Sequence, residues 1–248
     1  IEMIISASRR TDIPSYYSEW LVNRLKEKYV LVRNPMNIHQ VSKIDLSPDV
    51  VDAIVFWTKN STPMLSYLDQ INDYTYYFQF TLSAYGPDVE RNLPSKNKII
   101  IPTFQQLSKE IGKEKVIWRY DPIFFNEQYS IEYHCKYFEV LASKLGDYTE
   151  KCTVSFMDMY RNTERNVKLL SIVKDTYEMQ VELLQRFVEI AKEYGLYIDT
   201  CAEIGDFHNI GVEHAHCIDR ERIERIGGFK LNVDKDTNQR AECGCVAS

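Results

Sequence analysis

Arg119 and Asp121 are the residues whose types and spacing most directly suggest chemistry. They lie in Val116-Ile117-Trp118-Arg119-Tyr120-Asp121-Pro122, a β-branched and aromatic run that reads as a strand closed by proline. Alternate side chains of a strand share a face, so Arg119 and Asp121 stand together, opposite Trp118 and Tyr120. A strand covered by helices on both sides should be apolar on both faces. Desolvating a guanidinium and a carboxylate costs several kcal/mol each unless they are paired or face a wet cavity. The pair therefore marks a strand end opening into a site, or else an inward structural pair.

The same breach recurs in other runs. Ser6 and Ser8 share a face in Ile4–Ser8, Gln79 and Thr81 in Tyr76–Leu82, and Asp199, Cys201 and Glu203 in Tyr197–Glu203. Several strands turning polar on one face near their C-terminal ends is the pattern of a parallel barrel with its site at that end. On this reading Arg119, Asp121, Glu203 and Lys59 are candidate catalytic residues. Asp199 lies deeper in its strand and reads as structural.

Candidate substrate-binding residues follow the first two strands. Ser8, Arg9, Arg10 and Asp12 sit in a charged loop where two guanidiniums could clamp a carboxylate or phosphate. Alternatively that loop is solvated and Asp12 caps the next helix. Trp57, Lys59 and Asn60 end another strand; Lys59 there suits an anion or works as a base, or is a snorkelling surface lysine. Gln79 and Thr81 complete the set. Cys243-Gly-Cys245 presents two thiolates suited to a soft metal or iron–sulfur iron, and Cys201 and Cys217 could join them if the tail folds back. His208, His214 and His216 before Cys217 have metal-like spacing but weak specificity. Cys135 and Cys152 read as core residues.

Six strand–helix units must position these groups: strands near 3–8, 53–58, 76–82, 116–122, 152–156 and 197–202, alternating with helical periods. Ser15–Lys28, Pro102–Ile111, Ser130–Leu145, Asn162–Val173, Tyr177–Tyr194 and Glu221–Ile226 read as helices, several stopped by glycine. Segments 29–33 and 40–44 read as an excursion hairpin. Right-handed crossovers wind such units into one parallel sheet. The expected fold is α/β, a partial (βα)6 TIM-barrel-like sheet over residues 1–228, with an irregular cysteine-containing tail over 229–248.

Bulk properties narrow the function class. The chain has 248 residues, 44% hydrophobic and 27% charged, enough for one large α/β unit. A net charge of -6 disfavours a general nucleic-acid footprint. No apolar run approaches the roughly 18 residues of a membrane helix. The start shows no export pattern, so a cytoplasmic compartment with reduced cysteines is expected.

Five motifs in order, Ile5–Pro14, Val32–Pro35, Ile54–Asn60, Trp118–Ile123 and Gln239–Cys245, resemble the bacterial family called domain of unknown function 1848. The resemblance spans essentially the whole chain. It implies a C-terminal cysteine cluster similar to the one that holds a four-iron cluster in radical S-adenosylmethionine enzymes, with further cysteines after Cys245. A 4Fe-4S cluster and S-adenosylmethionine are thereby the implied cofactors, and a small anionic molecule the expected partner. Two other readings stand beside it: an iron-independent barrel hydrolase or lyase for a phosphorylated or carboxylated molecule, and a nucleic-acid or protein binding module.

Overall fold

A computed structural model describes residues 3–157, 169–239 and 243–248. Strands β1 (Ile4–Ala7), β4 (Ala53–Thr58), β5 (Tyr76–Thr81), β6 (Val116–Ile123), β7 (Lys151–Phe156), β8 (Tyr197–Thr200) and β9 (Glu213–His214) form one sheet in that spatial order. Every neighbouring pair is parallel. The hairpin β2 (Tyr29–Asn34) and β3 (Asn37–Asp45) stands apart as a two-stranded antiparallel ribbon.

Six strands were expected in the sheet, and the described residues contain seven. The added β9 is two residues long and too short to carry a period. The ladder is that of a parallel α/β sheet whose hydrogen-bonding edges are β1 and β9. It does not of itself close into a barrel.

The order of side chains along each strand explains the layers. On one face Ile54, Phe56, Phe78, Val116, Trp118 and Val154 pack under the helices, in one large apolar cluster. Those helices are α2 (Ser18–Glu27), α4 (Ile101–Ile111), α5 (Ile131–Leu145) and α6 (Tyr177–Glu193). Phe138 of α5 stacks on Phe187 of α6 with ring centroids 3.9 Å apart. On the other face Ile4, Ala53, Val55, Tyr77 and Ile117 form a second cluster, completed by Ile218, Ile223, Leu231 and Val246. On this second face β4, β5 and β6 begin apolar, whereas β7 is polar from its first residue, Lys151.

Two expectations are corrected here. The helix expected over Ser15–Lys28 is divided into α1 (Ile13–Tyr16) and α2. Asp12 caps α1 through Ser15 N, Pro14 occupies its first turn, and Tyr17 (φ -137°) leaves helical geometry. The tail, read as irregular, packs into the second cluster. Leu231, Cys243, Cys245 and Val246 are buried, and Lys235 and Val246 form an antiparallel bridge. Much of the helix expected over Asn162–Val173 lies outside the described residues, as does Asp158, but Val173 is bridged to Phe125 rather than helical. Short helices α3 (Thr62–Leu65) and α7 (Arg220–Gly227) complete the helical set described. Among the described residues no helix is long and apolar enough to cross a membrane.

Candidate functional site

Above the apolar floor, the second face turns polar strand by strand. The register sets Thr81 beside Arg119, Arg119 beside Thr153, and Thr153 beside Asp199. Arg119 is 5% exposed. Its Nε and Nη2 donate to Asp121 Oδ2 at 3.0 and 2.6 Å, and its Nη1 donates to Cys217 Sγ at 3.0 Å. Burial opposes the charge, but Asp121 and the neighbouring sulfurs overcome it and hold the guanidinium well above its ordinary pKa. Trp57 lies under two guanidiniums, with Arg9 5.5 Å and Arg119 5.3 Å from its ring centroid, and donates to Ser6 Oγ at 3.0 Å.

Gln79 is buried and holds the Cys217 loop, its Nε2 donating to Cys217 O at 2.9 Å while Tyr77 Oη donates to the same carbonyl at 2.5 Å. Gln79 Oε1 also accepts from Arg119 Nη1 at 3.4 Å, so Gln79 ties the Cys217 loop to the guanidinium. Thr81 reaches Asp121 Oδ1 only at 3.4 Å and lines an open cavity.

The cysteines expected to converge do so. Cys201 follows β8, Cys217 follows β9, and Cys243 and Cys245 come from the tail. Cys201 and Cys217 sulfurs are 3.2 Å apart, and Ile218 N donates to Cys245 Sγ at 3.3 Å. Sulfur contacts continue from Cys217 to Cys245 and from Cys245 to Cys243. Hydrogen bonds from Cys201 and Cys245, with Arg119 beside them, hold Cys217 well below the ordinary thiol range. Cys245 likewise lowers Cys243 to about 6, against the effect of burial. Cys201 and Cys245, as donors to those thiolates, are raised. The contacts run pairwise, and among the described residues no three His, Cys, Asp or Glu side chains stand together as a metal-holding group.

Glu203 lies at the wall of a cavity of about 260 Å³ shared with Ser155, Cys201 and Cys243. It accepts from Phe156 N at 2.7 Å. Ser8, Arg9, Arg10, Asp12, Trp57, Lys59 and Asn60 line a separate cavity of about 590 Å³. Within it Asp12 is structural: it caps α1 and accepts from Lys59 N at 2.7 Å, tying the first loop to the end of β4. Ser8 Oγ accepts from Arg10 N and Thr11 N, and Asn60 Oδ1 from Thr62, so both also fix loop shape.

The loop after β5 contributes a residue that sequence reasoning passed over. Glu90 is held between Lys59 Nζ at 2.9 Å and Lys96 Nζ at 2.6 Å. Lys96 also donates to the carbonyls of Ser83 and Tyr85, and its burial lowers its pKa against the pull of Glu90. No spacing in that loop singled out Glu90. Glu90 and Lys59 also line a cavity of about 460 Å³ with Asp121, Tyr85 and Ser83.

The remaining candidates divide. His208 pairs with Glu213 at 2.7 Å and His214 is exposed. His216, though exposed, lies against Gly244, its ring nitrogens 2.8 Å from where a Cβ would stand, so it borders the Cys243–Cys245 turn. Asp199 is structural as expected, paired with buried Lys151 and accepting from Thr153 Oγ1 at 2.6 Å. Cys135 and Cys152 are core residues.

The chain belongs to the family described as domain of unknown function (DUF1848), whose profile matches residues 4–248. No curated protein matches it. Among solved structures, one described as a "putative alpha-L-fucosidase" from Bacteroides thetaiotaomicron VPI-5482 is similar at 10% identity and a TM-score of 0.35. That match covers 92% of this chain and 82% of the other, and its score is too low to inform fold or activity.

Proposed function

We propose that this DUF1848 protein is a metal–thiolate enzyme of the iron–sulfur kind, acting on a small anion held by Arg9, Arg10 and Lys59. The carrying observation is the convergence of Cys201, Cys217, Cys243 and Cys245 beside a buried arginine. The donor set is soft, which suits iron–sulfur or zinc over hard cations. Its sulfurs touch in series, so binding a metal requires them to open around a common centre. The expected likeness of the tail cysteines to the cluster segment of radical S-adenosylmethionine enzymes favours iron. The matching fold reading is a partial barrel with its site at the C-terminal mouth, supported by the parallel order and the strand-end polarity.

A bound iron–sulfur cluster would supply one-electron chemistry. Arg119 offsets the negative charge of the sulfurs, and Asp121 fixes its fork. Trp57 carries Arg9 over the same region, so an anion in the larger cavity meets a guanidinium already oriented. Glu203, beside the sulfurs, is placed to hold or move a proton.

Anaerobic reconstitution with iron and sulfide tests the reading. Expected are visible charge-transfer absorption and stoichiometric iron, both lost in Cys217→Ser and Cys243→Ser. Iron content near zero, or zinc bound tightly in its place, would overturn the iron–sulfur assignment. Turnover of a phosphorylated or carboxylated compound without iron would favour the hydrolase or lyase reading.

A further inference from the structure

The largest cavity described here, about 690 Å³, is not the one beside the sulfurs. It lies between β1, α2 and the β2–β3 ribbon, and is within the usual size range for small-molecule sites. Its walls are apolar, with Trp20 from α2, Val30 and Val32 from β2, and Ile44 from β3. Ser8, Arg9 and Arg10 line both it and the 590 Å³ anion cavity, so the two spaces meet at the loop after β1.

The ribbon stands outside the main sheet and packs Val30 and Ile44 against the main core. A two-stranded ribbon is marginal alone, and nearly all of β3 is exposed. Val30 pairs with Ile44, and Val30 and Val32 share the face toward the cavity. Leu31 points to the other face opposite Lys43 and is 60% exposed. The ribbon thus works as a roof.

Charge is unbalanced on these walls. Arg9, Arg10 and Arg24 line the cavity with one carboxylate side chain, Asp236, whose pKa Arg9 helps to lower, and with the last residue, Ser248. Asp236 already accepts from Asn238 N and Gln239 Nε2. Among the described residues none of the three arginines has a carboxylate within ion-pair distance.

We infer that the substrate is an amphiphilic anion: a phosphate or carboxylate head at Arg9 and Arg10, joined to an apolar or aromatic body under the ribbon. This deepens the anionic-substrate reading above and needs no metal. The test is fluorescence titration of metal-free protein with 8-anilinonaphthalene-1-sulfonate, an aromatic body carrying a sulfonate. One probe per chain is expected, displaced by inorganic phosphate. Val32→Asp and Arg10→Ala should each weaken binding about tenfold, roughly 1.4 kcal/mol. Leu31→Asp, one residue along on the opposite face, should leave it within about twofold of wild type. Trp20→Ala, a half-exposed wall residue whose loss leaves the core intact, should also weaken binding. Near-UV circular dichroism verifies the fold of each variant. Equal losses in Val32→Asp and Leu31→Asp, or no change in Arg10→Ala and Trp20→Ala, would overturn the inference. Probe binding without any iron uptake would sink the iron–sulfur assignment alone; iron uptake without specific probe binding would sink the amphiphile alone.

Discussion

At the scale of single residues, Arg119 links the parts of the candidate site. It joins the Cys217 sulfur to Asp121, and its burial makes the charge depend on both. Arg119→Met leaves Asp121 and the Cys217 sulfur without their shared donor in a poorly solvated place. The expected cost is about 3 kcal/mol, read as a shift in urea unfolding. Arg119→Met with Asp121→Asn should recover part of it, and strict additivity of the two losses would refute the coupling.

His134 offers a pH-dependent counterpart in the core. It is fully buried on α5, with Nδ1 2.8 Å from Tyr120 Oη and Nε2 2.9 Å from Phe124 O. The neutral ring satisfies both, accepting from the tyrosine and donating to the carbonyl. Burial lowers its pKa to about 4 despite the carbonyl. The unfolded chain, titrating near about 6.5, binds more protons than the folded one between those values. The stabilisation is therefore complete above the unfolded value and lost as pH falls toward 4, in total about 3 kcal/mol. Chemical denaturation from pH 7 to 4 should show that slope, and His134→Gln should flatten it.

At the scale of elements, loops after the strands hold one another through side chain to backbone bonds. Asp12 is the clearest case, capping α1 and accepting from Lys59 N. Asp12→Ala removes both and should cost about 1–2 kcal/mol. It should also loosen the wall of the 590 Å³ cavity, visible as faster hydrogen exchange at Lys59 N. Unchanged exchange there would show that the loops are positioned by packing instead. The strand cores, the hairpin and most helices were legible in advance, because period, glycine stops and caps are local signals. Ser130 caps α5 through Tyr133 N, and Gly112 (φ 96°) ends α4, both as their types suggest. The break at Tyr17 and the two-residue β9 were not, since one depends on capping geometry and the other is shorter than any period.

At the scale of the whole molecule, the tail and the sheet share one cluster. Leu231 and Val246 pack with Ile4, Val55, Tyr77 and Ile117 and with the cysteines. Leu231→Ala should cost about 2–4 kcal/mol by opening a cavity there. It should also speed alkylation of Cys217, measured by mass spectrometry after limited iodoacetamide treatment. Slow, unchanged alkylation would mean that the tail does not shield the sulfurs.

The sequence by itself determined the parallel α/β pattern, the polar strand ends, and the thiols and guanidiniums available for a site, because alternation and residue type need no knowledge of distant neighbours. Only the tertiary structure decided how those groups are used. It spent Asp12 and Gln79 on holding loops, gave Asp199 to Lys151, brought Glu90 between two lysines, and set four cysteines from three segments side by side. Those outcomes rest on pairings between residues far apart in the chain, and burial makes each polar group take whichever partner the fold delivers.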